Sequence, residues 1–382
     1  MRTKIPYRVV SFCLLFSLLS CCTKETEKTA GEDVVRVDPR QEDVVSVDAV
    51  FESISIIPFD DSVPEALISS YKYKLVVTDD VFYVLDQRTC RIISFDTHGN
   101  WLQTADKKGR GKGEFLMSSD FRLDVSDSAL LVLDPRGIVY KYSLEQGFPF
   151  KSQFAINGPL RSTYSLLPAS NDEYLVFSES DDDHLGTIDL MSNEWNPFKY
   201  KYPNWLFGTA FSFAWTPFLL DGDNLYYYEG LDGTVYRVNL ENRRLDRIIS
   251  WDFGRFQFNA HNLEPNKEID YYDDLWNENS NKWATPIHVE YITKQLVLAR
   301  FYFDNCWKNL VYNRITKKCL CFSSFIEGGS FDVMTQYKQR GYLLAPSDII
   351  GQIVDKETLQ STSAIDRLDA TVNPVLIIFT PR

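Results

Sequence analysis

Short apolar runs separated by polar turns fill most of this chain, and two of them are near copies. VFYVLDQRTCRIISFDTHG and ALLVLDPRGIVYKYSLEQG align without a gap: Val84-Leu85-Asp86 falls on Val132-Leu133-Asp134, Arg88 on Arg136 and Gly99 on Gly147. Each copy reads as a strand, a polar turn, a second strand and a turn marked by glycine. Looser copies follow. Glu173 to Phe177 leads to Gly186 to Leu190, and Asn224 to Tyr228 leads to Gly233 to Val238. Gln295 to Arg300 leads to Trp307 to Asn313 and Cys319 to Ser323, and a sixth copy is expected between Phe331 and Phe379. Repeats of roughly 40–50 residues with three or four short strands each are the mark of a propeller, in which neighbouring blades cover one another's apolar faces. The pattern therefore predicts an all-β, six-bladed β-propeller. Ring closure needs an N-terminal strand in the last blade, and Phe51 to Phe59 with Pro374 to Phe379 are the expected partners. The one stretch with helical character is Glu264 to Asn279, between blades four and five.

The first residues follow a different pattern. Arg2, Lys4 and Arg8 precede the apolar run Val9 to Leu19, which is short for a membrane span and has the layout of an export signal. It ends in Leu18-Leu19-Ser20-Cys21-Cys22, which resembles a bacterial lipobox. With small Ser20 before the cleavage point, Cys21 is the expected lipidated residue and Cys22 the alternative. The polar segment after it, with the acidic Lys24-Glu25-Thr26-Glu27, lacks the apolar groups to fold alone. The expected organisation is a signal peptide over 1–21, a flexible tether over 22–44 and the propeller over 45–382. The expected location is the cell envelope, as an outer-membrane lipoprotein facing the periplasm or the surface.

Charge narrows the partners. A formal charge of −13 and a pI near 4.9 argue against nucleic acid. Beyond the lipobox, Cys90, Cys306, Cys319 and Cys321 share no metal-type spacing with His98, His184, His261 and His288. Mostly free, packed thiols are expected, with no metal site, no cofactor and a monomeric chain.

The run Ile93 to Leu102, followed by Gly109-Arg110-Gly111-Lys112-Gly113-Glu114-Phe115, resembles the six-bladed β-propeller lipoproteins of Gram-negative gut anaerobes. Those chains carry a Phe-Asp-x-x-Gly turn and then a glycine-rich loop ending in Gly-Glu. Asn373-Pro374-Val375-Leu376-Ile377 looks like their usual ending. The resemblance covers about residues 45–382 and departs at Lys112, where the family has proline, and in the middle blades. It implies architecture and location, and no activity.

Candidate chemistry is sparse. Gly109, Gly111 and Gly113 with Arg110 and Lys112 have the makings of an anion loop, but lack the strand-to-helix context, so a structural turn is expected. Asp86, Asp96, Asp134 and Asp189 sit at strand ends, as turn caps do. Asp181-Asp182-Asp183-His184 reads as a solvated loop tip. Phe211, Phe213 and Trp215 alternate, as on one face of a core strand. Tyr202 and Trp205, together with Trp276 and Trp283, are expected to line one mouth of the channel, where flat rings suit a sugar or an aromatic ligand. No nucleophile–base pair is recognisable, so no catalytic residue is assigned. The favoured function is a lipid-anchored binding module for a ligand, including a glycan, or for a protein. The alternatives are a propeller lactonase, a carbohydrate-active hydrolase or lyase, and a scaffold in an outer-membrane assembly.

Overall fold

Six four-stranded antiparallel blades form the ring in a computed structural model. It describes residues 32–69, 72–158, 160–170, 173–180, 184–189, 191–198, 200, 203–206, 208–212, 217–326, 335–345 and 373–382. Cys21, Cys22, Tyr202, Phe213, Trp215 and Asp181 to Asp183 lie outside the described residues.

Blade one is Tyr73–Val77, Val81–Asp86, Arg91–Asp96 and Trp101–Asp106, and blade two repeats it as Asp120–Asp124, Ala129–Asp134, Ile138–Ser143 and Phe150–Ala155. The near-identical sequences thus become equivalent strands of adjacent blades. Blade three runs from Leu160 to Pro197, blade four from Phe218 to Asp252 and blade five from Ile287 to Phe322. The first strands of successive blades approach one another around the axis. Between blades lie apolar layers, such as the one that sets Val76, Leu85 and Ile92 of blade one against Phe121, Leu130 and Val132 of blade two. Alternation on each strand supplies both layers, because successive side chains point to opposite faces.

Blade six closes the ring as expected. Val375–Pro381 pairs on one side with Arg340–Ala345 and on the other with Phe51–Pro58, Ile377 standing opposite Ile56. Asn373 ties the closure. Its side-chain amide donates to the carbonyls of Asp60 at 2.7 Å and Ala66 at 3.0 Å, and its Oδ1 accepts from the Ile68 amide at 2.8 Å.

The N-terminal segment is a correction to the sequence reading. From Asp33 onward it is not a free tether: Asp33–Arg36 adds a parallel strand to the outer edge of blade four, and Val44–Val45 pairs with Ser324–Phe325. Val35 and Val37 bury themselves in the layer between blades four and five, which compensates the ordering of an otherwise polar stretch. Lys308 donates to the Gln41 carbonyl at 2.9 Å, so the strap is fastened across blade five as well. Two further corrections concern loops. Phe211 is fully buried but lies in a short 3-10 turn, Ala210–Ser212, rather than in a strand, because its partners are rings of a neighbouring connection and not of a sheet. His184 is fully buried instead of solvated, its Nδ1 2.8 Å from the Ser178 carbonyl oxygen.

Candidate functional site

The two ends of the ring differ. Because antiparallel strands alternate in direction, the turn between a blade's second and third strands emerges at the same end as the connection to the next blade. The opposite end carries short turns such as 78–80, 222–223 and 293–295. The connection end carries 107–119, 198–217 and 253–286, the last holding the helix Ile269–Asn279. Short turns suffice to link strands, so the added chain at one end is where a site can be built.

The connections of blade four make an aromatic module there. Leu206, Phe211, Leu231, Phe258 and Tyr272 form its buried centre, and Trp205, Trp276 and Trp283 pack around them half-buried. Trp205 lies against Tyr272 at 5.3 Å between ring centroids, and Phe211 stacks on Phe258 at 4.8 Å with Trp283 at the edge of both. Trp276 packs on Tyr302 at 4.6 Å and donates its indole N–H to the Thr285 carbonyl at 3.1 Å. Asp273 of the helix accepts the Ala210 amide at 2.9 Å and so joins the two connections. The structure therefore brings together Trp205, Trp276 and Trp283, each with one side committed to a protein ring.

Beneath the module lies a group that periodicity does not reveal. Glu229 follows the strand Asn224–Tyr228, is 4% exposed, and accepts the Tyr200 hydroxyl on Oε2. The Tyr227 hydroxyl donates to the same oxygen at 3.3 Å, and Oε1 is buried without a partner. Burial, then the negative charge of Asp232, pushes its carboxyl up to about 8, so at neutral pH it is mostly the uncharged acid. The residue was readable only as a carboxylate placed directly after the apolar run NLYYY.

The other candidates resolve into structural roles. Gly111 donates its amide to Glu114 Oε2 at 2.7 Å, so the glycine loop is closed on its own carboxylate rather than open to an anion. Gly113 has φ +72° and an added Cβ there would meet Phe150 at 2.5 Å. Asp96 accepts the amides of His98 and Asn100, Asp134 that of Arg136, and Asp189 those of Met191 and Ser192. Asp86 accepts the amides of Arg88 and Thr89 and also both donors of Ser69. Cys90, Cys306, Cys319 and Cys321 are free, and burial pushes the Cys319 and Cys321 thiols up to about 12. Among the described residues, no three His, Cys, Asp or Glu side chains converge to hold a metal.

On the channel wall, Asp120 begins the first strand of blade two. Its Oδ2 accepts Arg122 Nε at 2.9 Å, the Ser165 hydroxyl at 2.8 Å and the Leu166 amide at 3.0 Å, linking blades two and three. Burial alone would raise its pKa, but the charges of Arg122 and Lys74 and these bonds outweigh it, and the net shift is downward.

Comparison with solved structures agrees with this architecture. An exported-protein candidate from Bacteroides fragilis aligns with a TM-score of 0.70 at 14% identity, over 91% of this chain and 99% of that one. A member of the DUF4221 family from Bacteroides vulgatus aligns with a TM-score of 0.51 at 11% identity, over 87% of this chain and 97% of the other. These likenesses speak to the fold. No curated protein matches the sequence. The profile of one family spans residues 33–380, opening on the strap strand that blade four receives and closing in the strand that completes blade six. Strap and ring are thus one unit, and the chain belongs to the family described as a domain of unknown function, DUF4934.

Proposed function

We propose that this chain is an exported binding module, tethered by lipid at Cys21, that presents its connection end to a ligand or protein partner. The observation that carries this reading is the asymmetry of the ring: the long connections and the aromatic module share one end, and among the described residues the blade turns at the other end are short. Extra chain that the fold does not need persists where it makes a surface. Exposed apolar side chains on the same end, Leu116, Met117, Ile269, Tyr271 and Trp307, fit such a surface. The charged apolar-then-cysteine N-terminus supports export and acylation, and likeness to an exported-protein candidate of Bacteroides fragilis fits export.

The half-buried rings of Trp205, Trp276 and Trp283 suit a glycan or another flat ligand. The test is a thermal-shift series with neutral oligosaccharides, reading each variant against its own melting temperature. A glycan that raises the Tm of the native protein, and fails to do so after Trp205→Ala with Trp276→Ala, supports the aromatic module as the site. An unchanged shift in the double variant removes it from the reading.

A further inference from the structure

We infer that the cleft between the N-terminal strap and the start of the connection 253–286 is a ligand site, in which Arg255 holds the carboxylate of a small molecule. The cleft lies at the connection end but shares no residue with the aromatic module.

The strap strand Asp33–Arg36 ends beside Asp252, the last residue of the fourth strand of blade four, and the Val37 amide donates to the Asp252 carbonyl at 2.9 Å. Beyond that bond the two segments part around a cavity of about 400 Å³, a size that suits a small molecule. Residues 36–40 line one wall and residues 252–256 the other, all of them described. Phe256 forms the floor, half-buried and packed edge-on against Phe303 at 5.1 Å. Two guanidinium groups stand over its ring, Arg255 at 4.7 Å from the centroid and Arg40 at 5.6 Å.

The charges around the cavity are two pairs and a remainder. Arg40 closes on Asp38 through Nε at 2.9 Å and Nη2 at 2.6 Å. Those bonds, with a smaller contribution from the charge of Arg255, hold the Asp38 carboxyl down to about 2, so it is ionised at neutral pH. Arg36 Nε stands 3.6 Å from Asp252 Oδ2. Arg255 forms no ion pair with a described residue, and its guanidinium donors face the cavity mouth unspent. A planar guanidinium matches a carboxylate edge to edge. A second negative charge would meet Asp38 and Asp252 in the same walls, which disfavours a dianion such as phosphate. Phe256 and Pro39 offer the rest of the molecule an apolar surface. Half of the lining belongs to the strap, so the site exists only while the strap is docked, and an occupant must hold it closed.

The experiment follows limited proteolysis of the strap in the purified processed protein at pH 8 and equal ionic strength. Sodium chloride alone is compared with added benzoate, benzamide or phosphate, and rates are corrected with a free-peptide substrate of the protease. Benzoate should slow strap cleavage saturably, by about tenfold at ten times its dissociation constant. Benzamide, its neutral counterpart, and phosphate should act no differently from chloride. Each variant is read against its own rate in chloride: Arg255→Gln should abolish the slowing, and Trp205→Ala with Trp276→Ala should retain it. The proposal is overturned if benzoate acts like chloride, if benzamide matches benzoate, or if the slowing survives Arg255→Gln. Its loss in the double tryptophan variant would equally overturn it, by moving the carboxylate to the aromatic module. Slowing by phosphate as strong as by benzoate would overturn the carboxylate assignment.

Discussion

Replacing Glu229 by glutamine should make the protein more stable in mild alkali and nearly unchanged in mild acid. In the fold the carboxyl titrates near 8, against an ordinary 4.5. The folded pKa is the higher one, so the native state binds the proton more tightly than the unfolded chain. The stabilisation is complete below about pH 4.5 and is lost as pH rises through 8. At about 1.4 kcal/mol per pKa unit, the loss is on the order of 5 kcal/mol by pH 9. Glutamine keeps an oxygen for the Tyr200 and Tyr227 hydroxyls but has nothing to titrate. Its amide stands where the neutral acid carries its own unpartnered Oε1–H, so in mild acid the exchange costs little. Other groups titrate in the same range, so the informative quantity is the difference between the two proteins. Denaturant midpoints from pH 5 to pH 9 should show Glu229→Gln equal or slightly weaker at pH 5 and clearly stronger at pH 9. Parallel profiles would refute the reasoning, because Glu229 would then ionise in the fold as it does in water.

Other expectations follow from the same contacts. Asp120→Ala strands the Arg122 charge and cuts the link to Ser165 and Leu166, and should cost about 3–5 kcal/mol by denaturant titration at pH 7. Because the folded pKa of Asp120 lies below 3.8, the native protein should lose that contribution only as pH falls beneath this value. Val35→Ala with Val37→Ala should weaken the strap by about 3 kcal/mol, at ~0.8 kcal/mol per buried methylene, and open residues 33–45 to limited proteolysis before the blades are cut. In the folded protein Cys306, the exposed thiol of the four described, should react first with a thiol reagent, and Cys306→Ser should remove that fast phase.

The ring was legible because its information is periodic. Val84-Leu85-Asp86 and Val132-Leu133-Asp134 announce equivalent strands, and Phe51 to Phe59 could complete the last blade because no other early run alternates as long. The strap was legible in principle: Asp-Val-Val-Arg-Val alternates and places Val35 and Val37 on one face. Its acidic surroundings resemble a tether, and only the open edge of blade four makes burial available. Phe211 misled for the opposite reason. Its alternation with Phe213 is strand-like, yet a 3-10 turn against Phe258 buries it equally well. Trp205, Trp276 and Trp283, with Tyr202, were expected to line a channel mouth; the structure packs the three tryptophans around one aromatic cluster formed by two connections. Glu229 was invisible. A buried carboxyl is defined by what surrounds it, and its neighbours Tyr200 and Asp232 come from a separate connection and from the turn that follows.

The central claim is that the connection end, not the turn end, meets the partner. Met117 stands exposed in the connection 107–119, and Met191 stands exposed in a short turn at the opposite end. A photoreactive side chain placed at each position in turn, followed by irradiation of intact cells, compares the two ends directly. The account predicts an adduct from position 117 and none from position 191. Adducts from position 191 alone, or equally from both, would contradict it.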